Sequence, residues 1–163
     1  RHDGSWTKMD KAFKRAEGLL DSWMKDHHDK DCYPPTIINI TDGEYNGTSD
    51  GEMQQLSNQL KSMFTNDGNV LLFNIHIVPG HAESVVFPAS VGELNGNGYG
   101  ERLLSMSSLL PLNYNEQIRA IFGDKQTDIR YHAMGVNTGM ERLVKMMKIG
   151  TLSSMLISQN PTK

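Results

Sequence analysis

The sequence predicts an α/β fold: a Rossmann-like three-layer sandwich with a mainly parallel sheet flanked by helices. Two apolar runs, "TIINI" (36–40) and "NVLLFNIHIV" (69–78), show no alternation and read as strands covered on both faces. An amphipathic helical segment lies between them. Strand, helix and strand then form a β–α–β unit, which implies a right-handed crossover and parallel pairing.

The leading helix is written in Ala12, Phe13, Ala16, Leu19, Leu20, Trp23 and Met24, which recur at three- and four-residue spacing. Thr7 followed by Asp10 resembles a capping box. The helix ends in "KDHHDKDCYPP", because proline removes a backbone donor and biases the residue before it away from helix. After the first strand, "NGTSDGE" is turn chemistry, with Ser49 or Asp50 placed to cap the next helix. Met53, Leu56, Leu60, Met63 and Phe64 mark that helix's buried face, and "NDG" stops it.

Beyond the second strand, "SVVFPAS" reads as a short edge strand or an extended approach to a loop. "GELNGNGYGE" reads as a loop, "RLLSMSSLL" as a short helix closed by Pro111, and "NEQIRAIFG" as a helix capped by Gly123. "IRYHAMGVNTG" holds a short strand. "MERLVKMMKIG" (140–150) forms the last helix, with Leu143, Met146 and Met147 on its inner side.

A chain of 163 residues fits one domain and can bury about 70% of its unfolded surface. Its net charge of −3 and the lack of a basic tract argue against nucleic acid as a partner. No apolar run reaches the ~20 residues that span a bilayer. The start, "RHDGSWTKMD", has no apolar signal core and no initiator Met, so a processed or excised piece is expected. One cysteine, Cys32, cannot form an internal disulfide, which favours a reducing, cytoplasmic compartment. The sequons at Asn39 and Asn46 read as chance matches, the first lying within a strand.

Ligands of open parallel sheets bind outside the carboxyl ends of the strands. Asp42 stands there, at the exit of the first strand, with Gly43 to turn the chain and with Thr41 and Glu44 adding oxygens. The competing reading is an Asp that hydrogen-bonds its own turn. Other candidates are weaker. His27, His28, Asp29, Asp31 and Cys32 crowd a helix end, where adjacent histidines diverge and a solvated terminus is expected. His76 and His81 flank the end of the second strand, close to Asp42, and His76 reads as a satisfied strand residue, with a rim role near the site as the alternative. "GNGYG" (96–100) matches neither phosphate-binding pattern, and Ser107 and Ser108 lack a nucleophile elbow. The methionines at helical spacing read as core filler.

"PPTIINITDGE" resembles the fourth-strand segment of von Willebrand factor A domains, whose strand runs into a Thr-Asp-Gly turn. "WTKMDKAFKRAEGLLDSW" is similar to the family segment in which a Thr precedes an Ala-containing amphipathic helix. "NVLLFNIHI" suits the next strand, and the resemblance covers roughly residues 4–150. It implies a single domain over 1–155, read as an N-terminally incomplete portion, and the last eight residues, 156–163, which include Pro161, read as a flexible tail. It also implies a metal-ion-dependent adhesion site with Thr7 and Asp42 as ligands, holding Mg2+ or Mn2+. The function implied is a protein-interaction module that binds an Asp or Glu of a protein partner through that metal.

The family's Asp-x-Ser-x-Ser strand is not found. "DGSWT" (3–7) fits it only superficially, since Arg1 and His2 alone precede it. The expectation is that this strand lies upstream in the parent protein, leaving metal binding weak or absent in the chain as given. Two other readings stand beside this one: a small metal-dependent phosphohydrolase using Asp42, and a metal-free structural interaction domain.

Overall fold

Four strands form one sheet in the order β1 (Thr36–Thr41), β4 (Leu71–His76), β6 (Met134–Val136) and β5 (Val85–Val86). The computed structural model describes residues 8–27, 30–78 and 83–151. β1 and β4 run parallel in the register Thr36 to Leu71 through Thr41 to His76, β6 joins β4 in parallel, and β5 closes the sheet antiparallel. The fold is therefore mixed α/β with a mostly parallel sheet, as the two apolar runs predict.

Helices cover both faces. Met9, Phe13 and Leu20 of α1 (Met9–His27), Met53 and Leu60 of α2 (Asp50–Ser62), and Leu103 of α3 (Gly98–Met106) pack with Leu72 and Ile37 on one side. Ile118 of α4 (Asn115–Phe122) and Met146 and Ile149 of α5 (Met140–Gly150) pack with Leu71, Phe73, Ile75 and Ile38 on the other. Pleating explains the split, because successive residues of a strand face opposite ways.

β1 and β4 differ in environment. Every residue of β4 is buried, whereas β1 is half-buried and Ile40 is 52% exposed. β1 is thus an edge strand, not the fully covered strand that its composition predicts. Among the described residues no strand pairs with its other side.

Other boundaries move for local reasons. Phe64, expected on the buried face of α2, lies past its end in β2 (Phe64–Thr65), which pairs with β3 (Gly68–Asn69), and its side chain is 71% exposed. That small hairpin takes the start of the predicted second strand, so β4 begins at Leu71. The predicted loop over 92–101 instead contains a 3-10 turn (Val91–Leu94) and the first residues of α3. Asn97 starts α3 early by accepting the Gly100 amide, and the helix ends at Met106, not at Pro111. On α1 the buried stripe is narrower than predicted, since Ala12 and Leu19 face solvent. On α5, Met147 is exposed and Ile149 takes the inner position.

Three predicted features agree with the structure. Ser49 caps α2 in a full capping box with Glu52, Gly123 closes α4 with φ of 81°, and residues 140–150 form the last helix. The capping box expected at Thr7 lies outside the described residues.

Candidate functional site

Asp42 follows β1 directly and is exposed at the carboxyl edge of the sheet. Two short side-chain bonds set the turn. The Gly43 amide donates to Thr41 Oγ1 at 3.0 Å, and the Glu44 amide donates to Asp42 Oδ1 at 3.1 Å. The second is an Asx turn, so Asp42 does hold its own backbone, as the plainer reading of the sequence expects. That bond engages one carboxylate oxygen and leaves the other without a hydrogen bond among the described residues.

Gly43 is required at this turn for two reasons. Its φ of +89° lies in the region that side chains disfavour. A Cβ there would also meet Tyr99 Cβ at 2.6 Å and His76 Cε1 at 2.9 Å. His76, the register partner of Thr41, is 2% exposed. Its Nε2 lies 3.3 Å from Asn97 Oδ1, which also accepts the Gly100 amide. Asn97 Oδ1 accepts in both bonds, with Nε2 as the donor. Nδ1 packs against Gly43 and has no hydrogen-bond partner among the described residues. His76 therefore braces the turn from beneath, and Gly43 fills the space a ligand would need to reach it.

Behind the turn runs a buried polar chain. Asn39 Nδ2 donates to Asn74 Oδ1 at 2.8 Å, and Asn74 Nδ2 donates to Leu103 O at 3.1 Å and Ser107 Oγ at 3.0 Å. Ser108 Oγ accepts the Leu72 amide. Both serines thus act as structural ties between β4 and the end of α3.

Beside the turn, α2 and α3 line an open cavity of about 560 Å³ with Tyr45, Asp50, Gln54, Gly98, Glu101 and Arg102 among its lining residues. Tyr45 Oη donates to Asp50 Oδ1, and Arg102 Nε lies 3.1 Å from Asp50 Oδ2 while its guanidinium covers the Tyr99 ring. Burial and then the Asp50 carboxylate push the Tyr45 phenol up to about 12. Tyr99 touches Gly43 and its neighbour Gly98 lines the cavity, so turn and cavity share the start of α3.

The predicted metal ligands fare differently. Asp42 sits where the sequence places it, and Thr7 lies outside the described residues. Among the described residues no group of three or more His, Cys, Asp or Glu could hold a metal ion. Asp42 and Thr41 alone do not fit magnesium, which takes six oxygens in near-octahedral array. Of the crowded helix end, His27 Nδ1 lies 2.7 Å from Trp23 O and its ring stacks on Trp23, while His28 and Asp29 lie outside the described residues, as does His81. No described helix is long and apolar enough to cross a membrane.

The Asn39–Asn74 pair and the bracing role of His76 were not singled out from the sequence. Polar residues inside apolar strands, "TIINIT" and "LLFNIH", are the signal that marks them. No protein-family model, curated protein or solved structure matches the chain.

Proposed function

We propose that this chain is a protein-interaction module of von Willebrand factor A type. Its recognition surface is the carboxyl edge of the sheet around Asp42, and its partner presents an Asp or Glu through Mg2+ or Mn2+. One observation carries the reading: an exposed carboxylate stands on a rigid Thr-Asp-Gly turn at the end of a parallel strand. That is the edge at which such sheets bind ligands.

The described residues supply too few oxygens by themselves. The reading therefore relies on Thr7, which the resemblance assigns, and on further oxygens from outside the described residues. Among the described residues no strand pairs with the side of β1 away from β4, next to Asp42, and a strand there would deliver them. A bound ion would supply an open coordination position for the partner carboxylate, while Asp42 would hold the ion and Gly43 and His76 would fix Asp42.

The phosphohydrolase reading needs a second carboxylate or a base within reach. Among the described residues the only hydrogen bond to the Asp42 side chain comes from the Glu44 amide, so nothing favours that reading. Calorimetric titration of Mg2+ and Mn2+ tests the proposal, on the chain and on a version carrying the coding sequence upstream of Arg1. Binding that Asp42→Ala abolishes supports it. Absence of heat in both versions overturns it in favour of a metal-free interaction domain.

A further inference from the structure

The edge of β1 away from β4, which no described strand meets, has a definite hydrogen-bonding pattern. Leu71 N donates to Pro35 O and Ile77 N donates to Thr41 O. In a parallel ladder this parity turns the backbone groups of Ile37, Asn39 and Thr41 toward β4. The amides and carbonyls of Thr36, Ile38 and Ile40 then face away from the sheet, where no described strand meets them.

Edges of this kind are ordinarily blunted by charge, by proline or by a bulge. "TIINIT" contains no charged residue and no proline, and its register with β4 is continuous from Thr36 to Thr41. The side chain of Ile40 is half in solvent, and Tyr33, shortly before β1, and Ile77, directly after β4, are exposed as well.

We propose that this edge pairs with the same edge of a second copy, joining the two sheets antiparallel across a two-fold axis at Ile38. One register uses all three outward residues on both strands. Ile38 lies opposite Ile38 of the copy, and Thr36 lies opposite Ile40 in both directions. Each of these residues offers one donor and one acceptor, so every outward group on both strands is paired.

The flanks agree with this register. Pro34 falls opposite Asp42 of the copy, and because proline has no amide it ends the ladder there. The two Asp42 carboxylates are kept at opposite ends of the pair, whereas in-register parallel pairing would set them side by side. The contact is isologous, as closed dimers require. A copy suits the edge better than a charged peptide, since it brings no charge to desolvate. Pairing with a copy and pairing with a further strand of the same polypeptide exclude each other, so the proposal concerns the 163-residue chain itself.

Sedimentation across a protein concentration series tests it, with Ile40→Pro as the variant. Proline at residue 40 removes an outward amide that the fold does not use, and edge strands accept it there. The expected result is a concentration-dependent dimer that Ile40→Pro loses, while Leu19→Lys, an exposed change on α1, retains it. Amide exchange of the unaltered chain gives a reading independent of the variant's folding. Ile38 and Ile40 are expected to become more protected as concentration rises, with Ile37 and Asn39 unchanged. A chain that stays monomeric throughout overturns the proposal. So does a dimer that Ile40→Pro leaves intact, or one in which the Ile38 and Ile40 amides exchange equally at low and high concentration.

Discussion

The ring of His76 and the backbone of Gly43 fill one space: a Cβ on residue 43 would lie 2.9 Å from His76 Cε1. The turn that presents Asp42 is therefore fixed by packing as well as by its own hydrogen bonds. Gly43→Ala combines an unfavourable positive φ with overpacking, and is expected to destabilise the fold by about 2–4 kcal/mol. Urea denaturation measures this. A variant as stable as the parent would mean that the turn is soft and that Asp42 is not held in place.

Asn74 joins β1, β4 and α3 through one buried amide. Asn74→Ala removes three partners at once and leaves the Asn39 amide without its strand acceptor. The expected cost is about 2–4 kcal/mol. The double variant Asn39→Ala with Asn74→Ala is expected to cost less than the sum of the two, by roughly 0.5–2 kcal/mol. Strict additivity in a double-mutant cycle would contradict a shared network.

How much of this was legible depends on the range of the interaction. Spacing placed α1, α2 and α5, and the apolar runs placed β1 and β4, because those patterns reflect burial along one element. The hairpin over 64–69 was missed because Phe64 continues the helical apolar stripe of α2, while its two strands are only two residues each. The start of α3 was missed because glycines at 98 and 100 weaken helix propensity, and the Asn97 cap outweighs them. Whether β1 is central or at an edge is not written in "TIINIT", since Ile37 and Ile38 pack into opposite cores in either case. Asp42 was legible from strand and turn chemistry. The His76 brace was not, because it brings together residues from separate elements.

The α2 capping box makes a prediction about pH. The Ser49 amide and hydroxyl, and the Thr48 hydroxyl, hold the Glu52 carboxyl below its ordinary value of 4.5. A depressed carboxyl stabilises the fold above its unfolded pKa, and the contribution is lost as pH falls through the lower folded value. Stability is therefore expected to fall on acidification below about 4.5, and less steeply in Glu52→Gln. Ser49→Ala is expected to cost about 1 kcal/mol at neutral pH. Identical acid profiles for the parent and Glu52→Gln would remove the capping box from the account.

Tyr45 makes a prediction at the opposite end of the scale. Of the five tyrosines, this phenol is expected to ionise near 12 in an ultraviolet titration. Its folded pKa is raised, so its contribution to stability is present below the unfolded value and is lost as pH rises through the folded one. Asp50→Asn is expected to bring the transition part of the way back toward 10.0, since burial remains. A titration unchanged by Asp50→Asn would mean that the carboxylate does not face Tyr45 in solution.

Calorimetry on the chain extended upstream of Arg1 measures whether Asp42 holds a divalent metal ion. Saturable Mn2+ or Mg2+ binding, lost in Asp42→Ala and retained in Leu19→Lys, an exposed change on α1, is the predicted result. Titration without heat, or binding that Asp42→Ala leaves unchanged, would contradict the account and leave Asp42 as a turn residue.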